Sequence, residues 1–336
     1  MIDGVEAVPP RPLHPWVVEG QGRIRFGVAY GPRTDWAETA AFVQEVEALG
    51  FDSYWVMDHP VSGFDAWSTL AALAAVTTRL RLGPLVSCVF YRSPAQLARL
   101  AADVDLMSGG RLVLGLGGGN HAREFAKLGL PFPGTAERLA AVEETVRIVQ
   151  GLWGSEVLTF GGDHVRVAST ILRPGPVQQP HVPLLIAGGG EKVTLRQVAR
   201  YGDASNFSPH AQAGSAFRAA DVRRKLEALR RHCRSFGRPY ESILRTQVAV
   251  PVVLAETPSA LAAKLAAIPE RVRRGYASST LAGLPDDAVA YYQGLAKAGL
   301  TYFIAGIYGN DIETVRLLAE QVAPALSNSA SDAARA

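Results

Sequence analysis

Cysteine is scarce in this sequence, and the short signatures of common metal and hydrolase sites are missing. Only two cysteines occur, Cys88 and Cys233, so no disulfide framework is predicted and a reducing compartment is expected. The patterns HExxH, CxxC and GxSxG are absent, and the seven histidines lie far apart along the chain. Neither a metal site nor a serine-hydrolase site is therefore expected.

An excess of charge of one sign and long apolar runs are lacking as well. The 336 residues include 34 basic and 31 acidic side chains, which gives a formal net charge of +3. This balance gives no electrostatic reason to expect nucleic acid or a membrane surface as a partner. The N-terminal residues lack the features of a secretory signal, and no apolar run is long enough to span a bilayer. We therefore expect a soluble, cytoplasmic protein.

The chain does contain a regular alternation of apolar runs and helical stretches. Eight apolar runs predict strands at residues 24–30, 53–57, 80–87, 111–116, 183–187, 204–207, 244–254 and 302–307. Almost wholly apolar strands are typical of parallel strands buried on both faces. Eight strand–helix units favour an α/β fold of the closed (β/α)8 TIM barrel type, although an open doubly wound sheet fits the alternation too.

This pattern divides the chain into three parts. Residues 1–22 are rich in Pro and Gly without periodicity, and they predict an extended N-terminal arm. Residues 23–328 hold the strand–helix units and predict a single catalytic barrel domain. Within that domain, residues 157–167 alternate and turn at Gly161 and Gly162, which predicts an inserted hairpin. Residues 329–336 are rich in Ala and Ser and predict a disordered tail.

The residues that follow each predicted strand are the first candidates for chemistry, because (β/α)8 barrels build their active sites at the carboxyl ends of the strands. Asp58 and His59 follow the second strand. A histidine exchanges protons near neutral pH, and a neighbouring carboxylate can fix its tautomer; a solvated loop cap is the alternative. Ser87 and Cys88 end the third strand in an apolar loop that also fits a buried connector.

A glycine-rich turn follows the fourth strand, where Gly117 precedes Asn120 and His121. Glycines let a backbone approach a flat ring or a phosphate closely. The turn is not a dinucleotide-binding fingerprint, because Asn120 stands where the third glycine is required. A tight turn without a ligand is the alternative. Tyr30 and Asn206, at the ends of the first and sixth strands, are weaker candidates for ligand contact.

A second glycine run follows the fifth strand and enters a predicted helix. Exposed amides and the positive end of a helix together form an anion site, so this segment predicts a phosphate site, with a plain strand-to-helix turn as the alternative. The candidate binding residues are Gly188, Gly189, Gly190, Glu191, Lys192 and Thr194.

Four segments, residues 50–60, 79–94, 107–119 and 183–206, resemble the luciferase-like flavin and deazaflavin oxidoreductases in their order and spacing. The GGGEKVTL and WVMDH segments are similar to the branch that uses the deazaflavin coenzyme F420 more than to the branch that uses flavin mononucleotide (FMN). The resemblance implies a TIM-type barrel that holds a tricyclic ring at its mouth. It also implies a homodimer.

The resemblance implies roles for individual residues. The segment of Val86, Ser87 and Cys88 would form a bulge beneath the ring, often with a non-proline cis peptide, and the residues 188–190 with Lys192 would take the cofactor phosphate. His59 would contact the ring and donate or accept a proton. The sequence departs from its relatives after the fourth strand, where many carry an aromatic and then acidic residues. A catalytic carboxylate there is not assumed, and His121 or Asn120 is expected to face the substrate instead.

Three functions remain open at this point. The leading hypothesis is an F420-dependent oxidoreductase that moves a hydride between the coenzyme and a small organic substrate, such as an alcohol, an imine or an activated C=C, while His59 moves the matching proton. The second is an FMN-dependent monooxygenase that activates oxygen in the same barrel. The third is a barrel that binds a flavin or deazaflavin without catalysis.

Overall fold

The structure is a computed structural model that describes residues 12–30, 35–154, 156–208, 210 and 213–327. Its strands are β1 (Arg25–Tyr30), β2 (Ser53–Val56), β3 (Arg81–Pro84), β4 (Ser87–Cys88), β5 (Leu114–Gly117), β6 (Leu158–Gly161), β7 (Arg166–Thr170), β8 (Leu184–Ala187), β9 (Ala204–Phe207), β10 (Leu244–Ala249), β11 (Val252–Leu254), β12 (Leu281–Gly283) and β13 (Tyr302–Ile307).

Helices separate most of these strands along the chain. They are α1 (Pro15–Glu19), α2 (Trp36–Ala48), α3 (Ala66–Val76), α4 (Pro94–Ser108), α5 (Ala122–Lys127), α6 (Thr135–Leu152), α7 (Thr194–Tyr201), α8 (Ala219–Ser235), α9 (Pro258–Ala267), α10 (Glu270–Gly275), α11 (Pro285–Lys297) and α12 (Ile312–Leu317). A π-helical turn, Leu318–Val322, continues α12.

The strands form a nearly closed parallel barrel. Their order is β3-β2-β1-β13-β10-β9-β8-β5-β4, and β4 is a short continuation of β3 beyond a cis peptide between Leu85 and Val86. The ring closes where Leu82 pairs in parallel with Leu112, and the amide of Val113 donates to the Leu82 carbonyl at 2.8 Å. The predicted (β/α)8 barrel is therefore confirmed. The two antiparallel strands β6 and β7 form the inserted hairpin outside the barrel.

Two predicted strands are each divided in the structure, and the bounds of four others differ by one to three residues. The predicted strand 80–87 divides into β3 and β4, and the predicted strand 244–254 divides into β10 and β11 at Pro251. Proline has no amide hydrogen to continue a strand ladder. By contrast, strands 204–207 and 302–307 have the predicted bounds. The short elements α5 and β12 were not predicted.

The predicted extended arm, residues 1–22, is wrong where the structure describes it, because residues 15–19 form the helix α1. Its Trp16 and Val17 are fully buried against the barrel interior, and the energy of removing these apolar side chains from water favours docking over an extended chain. The Trp16 indole donates to Asp52 at 3.1 Å, and Arg25 donates to the Trp16 carbonyl at 2.7 Å. Residues 1–11 and the predicted tail 329–336 lie outside the described residues.

The apolar core has two layers. The larger layer lies between the strands and the surrounding helices, and the smaller one fills the barrel interior with side chains such as Trp55, Val113 and Tyr302. Among the described residues, no helix is both long enough and apolar enough to cross a membrane. The filled interior leaves the carboxyl ends of the strands as the place for a ligand site.

Candidate active site

A cavity of about 600 Å³ opens at the carboxyl ends of the barrel strands. Nine of the residues predicted from the sequence line it: Asp58, His59, Cys88, Gly117, Asn120, Gly188, Gly190, Thr194 and Asn206. Ser87, Gly189, Glu191, Lys192 and His121 do not line it. Tyr30 ends β1, and its side chain lies outside the described part of the structure. Most of the predicted side chains therefore meet at one place.

His59 is hydrogen-bonded to a carboxylate that the sequence analysis had not assumed. Its Nδ1 atom lies 2.7 Å from Oε2 of Glu124, whose side chain is only 5% exposed. The Tyr91 hydroxyl donates to the same oxygen at 3.1 Å. The other oxygen, Oε1, is buried and has no hydrogen-bond partner among the described residues. Glu124 therefore accepts from His59 and Tyr91 and keeps one oxygen free.

This arrangement selects one form of the His59 ring. A carboxylate only accepts hydrogen bonds, so the Nδ1 atom of His59 carries a hydrogen, and in the neutral ring the lone pair is on Nε2. The imidazole is partly exposed, at 29%, and lines the cavity. Burial raises the pKa of Tyr91, followed by the effects of Cys88 and Glu124, so that phenol remains a hydrogen-bond donor. His59 thus offers a basic nitrogen to the cavity.

Glu124 lies on α5, a helix of six residues that follows the glycine-rich turn. The neighbouring Phe125 is fully buried and packs against Tyr91 and Phe132, with ring centroids 5.2 and 5.0 Å apart. This packing turns the adjacent Glu124 towards the barrel mouth. A helix this short shows no useful periodicity in the sequence. The one remaining signal was an acidic residue beside a large apolar one, just after the glycines.

The Asp58 carboxylate accepts hydrogen bonds from Ser87 and Cys88 in the bulge, and not from His59. Its buried carboxylate accepts from Arg92 Nη1 at 2.8 Å, from the Ser87 hydroxyl at 2.9 Å and from the Cys88 amide at 3.3 Å. The expectation that this neighbouring carboxylate fixes the His59 tautomer is wrong, because Asp58 is already saturated and Glu124 makes that bond. Burial raises the pKa of Asp58, and the ion pair with Arg92 opposes the shift. Asp58 thus positions the bulge.

The bulge beneath the cavity agrees with the resemblance. The peptide between Leu85 and Val86 is cis, and both side chains line the cavity. Ser87 is fully buried and accepts a hydrogen bond from the Trp67 indole at 3.3 Å. Burial raises the pKa of Cys88 to about 12, so its thiol stays protonated at neutral pH. A nucleophilic role for Cys88 is therefore not supported.

The glycine-rich turn after β5 packs tightly on this bulge. A Cβ atom on Gly117 would lie 2.7 Å from Cγ2 of Val86, and one on Gly119 would lie 2.8 Å from Sγ of Cys88. Arg138 fixes the turn from outside by donating to the Gly119 carbonyl at 2.9 Å. The glycines thus allow the backbone to border the cavity directly. The next residues, Asn120 and His121, lead into α5.

The predicted phosphate segment is only partly available to a ligand. The amide of Gly188 donates to the Asn206 carbonyl at 2.9 Å, and the amide of Gly189 donates to the Ala213 carbonyl at 2.8 Å. A Cβ on Gly189 would lie 2.0 Å from the Gly214 carbonyl oxygen, so this glycine permits contact between two loops. Gly190 and Thr194, by contrast, line the cavity.

The charged side chains of that segment, Glu191 and Lys192, do not line the cavity. Glu191 forms an ion pair with Arg224 and lies 3.8 Å from Nζ of Lys225, which donates to the Gly189 carbonyl at 2.6 Å. Lys192 is exposed, and α7 begins two residues after it at Thr194. The predicted roles of Glu191 and Lys192 in phosphate binding stay predictions.

A parallel eight-stranded barrel with a cavity above a cis-peptide bulge defines a luciferase-type barrel. A sequence model of the family described as luciferase-like monooxygenase matches residues 21–304, so the chain belongs to that family. This confirms the resemblance predicted from the sequence.

Several similar proteins are named as dehydrogenases or reductases, and some of these names include coenzyme F420. The F420-dependent glucose-6-phosphate dehydrogenase of Amycolatopsis mediterranei is 35% identical over 182 residues, which cover 52% of this chain and 53% of that protein. The 5,10-methylenetetrahydromethanopterin reductase of Archaeoglobus fulgidus is 29% identical, over 54% of this chain and 52% of that protein. The chain thus spans about half the length of the curated relatives that it matches.

Solved structures share the fold over most of the chain. The F420-dependent tetrahydromethanopterin reductase of Methanopyrus kandleri has a TM-score of 0.74 at 19% identity, covering 90% of this chain and 99% of that one. A monooxygenase from Streptomyces bottropensis has a TM-score of 0.73 at 25% identity, with the same coverage.

Proposed function

We propose that this chain is an F420-dependent oxidoreductase that transfers a hydride between the coenzyme and a small organic substrate. The observation that carries the proposal is the His59–Glu124 pair at the mouth of the cavity, in a chain similar to F420-dependent dehydrogenases. A hydride transfer to or from an alcohol or imine needs a group that moves the matching proton, and a histidine held by a carboxylate is suited to that role.

The cavity has the features needed to hold a deazaflavin. Leu85 and Val86 offer an apolar floor, and Asn206 and Thr194 offer neutral hydrogen-bonding groups elsewhere in the lining. Gly190 borders the cavity without a side chain, and a Cβ there would lie 3.0 Å from Oγ1 of Thr194. When bound, F420 supplies hydride exchange at its ring. The bulge and the turn after β5 would contact that ring, and Gly190 with Thr194 would face its phosphate end.

His59 and Glu124 divide the proton transfer between them. Nε2 of His59 accepts the proton of a substrate hydroxyl during oxidation and returns it during reduction. Glu124 accepts from Nδ1 throughout, and its negative charge stabilises the imidazolium that forms when His59 gains the proton. Tyr91 holds the same carboxylate oxygen in place. This division argues against the alternative of a barrel that binds without catalysis.

The alternative of an FMN-dependent monooxygenase keeps one supporting observation, the shared fold with the monooxygenase of Streptomyces bottropensis at 25% identity. The proposal also includes a homodimer in the cytoplasm and a single catalytic domain over residues 23–328. The family resemblance supports the homodimer and the single domain, and two cysteines that are both free support the cytoplasmic location.

Titration of the purified protein with F420 and with FMN, followed by fluorescence, tests the cofactor. Tight binding of F420 with much weaker binding of FMN is expected, and preferential binding of FMN would overturn the proposal. His59→Ala is then expected to lower kcat by about 10²- to 10⁴-fold at an unchanged Kd for F420. His164→Ala, on the β6–β7 hairpin, serves as the matched control with unchanged kcat. An unchanged kcat in His59→Ala would remove the assigned role.

A further inference from the structure

A row of four rings crosses the mouth of the barrel. The ring centroids of His59 and His121 are 5.7 Å apart, those of His121 and His210 are 6.1 Å apart, and those of His210 and Tyr276 are 5.4 Å apart. His59 follows β2 and His210 follows β9, and these strands lie on opposite sides of the ring of strands. The row therefore spans the cavity from the proposed proton-transfer group to the far wall.

The described lining of the cavity holds one permanent cation, whose two terminal nitrogens have partners while Nε is buried without one. Arg138 is the one arginine or lysine among the described lining residues. Its guanidinium donates to the Gly119 carbonyl at 2.9 Å and to the Thr135 hydroxyl at 3.2 Å, and it stacks on the Phe132 ring at 4.2 Å. Arg138 is thus a part of the wall. With the phosphate end of F420 facing Gly190 and Thr194, a second phosphate on the substrate would lose its hydration and would find only Arg138 as a permanent cation in the described lining, which is costly.

The histidine nearest the far wall is neutral at physiological pH. Burial, followed by the charges of His121 and His59, lowers the pKa of His210 to about 4. Tyr276, beyond His210, packs on the interior cluster, as Val86 and Ala187 also do. The far half of the row therefore presents uncharged flat rings, which favour contact with another flat ring.

We propose that the substrate is uncharged and carries a flat aromatic or conjugated ring, which packs against His210, the ring next to His121 in the row, while its hydroxyl or carbonyl oxygen faces Nε2 of His59. This inference rests on the proposed oxidoreductase function and names its substrate class. It sets the chain apart from its similar relative in Amycolatopsis mediterranei, whose name specifies a sugar phosphate.

Calorimetric titration with three probes tests the substrate class, with the protein both free of F420 and saturated with it. Acetophenone is expected to bind at least about tenfold more tightly than acetone, and glucose 6-phosphate is expected to show no binding at millimolar concentration. Tighter binding of glucose 6-phosphate, or equal binding of the two ketones, would overturn the inference.

Two variants at one position separate ring packing from other effects. His210→Ala is expected to reduce the preference for acetophenone over acetone by about tenfold, and His210→Phe is expected to retain it, because only a flat ring is required. His164→Ala controls for the loss of a histidine elsewhere, and circular dichroism checks that each variant folds. An unchanged preference in His210→Ala would overturn the inference. If the protein did not bind F420, the proposed function would be wrong. The titrations without F420 would still test the substrate class.

Discussion

The two ends of the barrel each hold a histidine beside a buried carboxylate, with a further histidine ring nearby. At the carboxyl end, His59 contacts Glu124 at 2.7 Å. At the amino end, His181 contacts Asp203 at 3.0 Å, and His14 lies 5.4 Å from His181 between ring centroids. The same residue types therefore occur in similar pairs at both ends, and they differ in what surrounds them.

The surroundings decide what each pair can do. Asp203 also accepts from the Leu184 amide at 2.9 Å, and its end of the barrel is covered by α1 with the fully buried Trp16. Glu124 keeps a buried oxygen without a partner among the described residues, and His59 faces a cavity. A histidine–carboxylate pair is thus a structural element where its bonds are complete, and a candidate catalytic element where one group stays available.

Trp16→Ala should have the largest effect, and it should be confined to stability. Removing this fully buried indole leaves a cavity under the barrel, and the free energy of unfolding is expected to fall by about 3–5 kcal/mol. Chemical denaturation measures the loss, and the Kd for F420 should stay unchanged. A weaker Kd with unchanged stability would show that the two ends are not independent.

Glu124→Gln should lower kcat through a change at the carboxyl end of the barrel. Glutamine keeps the size of the side chain but removes the charge that stabilises a protonated His59, so kcat is expected to fall by about 10²-fold, equivalent to about 2.7 kcal/mol. Steady-state kinetics with F420 measures the change, and thermal unfolding checks that stability is kept. Wild-type kcat in this variant would contradict the assigned role of the pair.

Asp203→Asn is the counterpart at the amino end. The substitution weakens the bonds with His181 and with the Leu184 amide, and a loss of about 1–3 kcal/mol in the free energy of unfolding is expected. Because the site lies at the opposite end, kcat should not change. A drop in kcat comparable to that of Glu124→Gln would erase the distinction between the two pairs.

His14 should add a small dependence of stability on pH. Burial lowers its pKa to about 4; Asp203 opposes this shift, whereas His181 and Arg81 act in the same direction as burial. Its Nδ1 atom accepts a hydrogen bond from the Trp16 amide at 3.0 Å. Since the folded pKa lies below the unfolded one, folding favours the neutral ring. The stability is therefore present above pH 6.5 and is lost as the pH falls towards 4.

We expect the free energy of unfolding to fall by about 1 kcal/mol from this group between pH 7 and pH 5.5. Denaturation curves at the two pH values measure it. His14→Asn keeps a side-chain acceptor for α1 but cannot titrate in this range, so the variant should lose that part of the pH dependence. An identical pH dependence in both proteins would disprove the assignment.

The sequence predicted the barrel because its buried strands are nearly uninterrupted apolar runs, and it predicted His59 because the position after a barrel strand is informative by itself. It missed Glu124 because α5 has six residues, too few for a helical pattern. The phosphate site at residues 188–190 stays a prediction, and the sequence did not show that Gly189 admits the Gly214 carbonyl from a distant loop. Such contacts between remote segments leave no local trace in a sequence.

The position of α1 has a further consequence for the order in which molecules move. Trp16 and the interior side chains close the amino end, so in the part of the chain that the structure describes the cavity above the bulge opens away from that end. A ligand bound at the bottom of the cavity has to bind first and dissociate last. We therefore expect sequential kinetics in which the coenzyme binds before the substrate and the product dissociates before the coenzyme is exchanged.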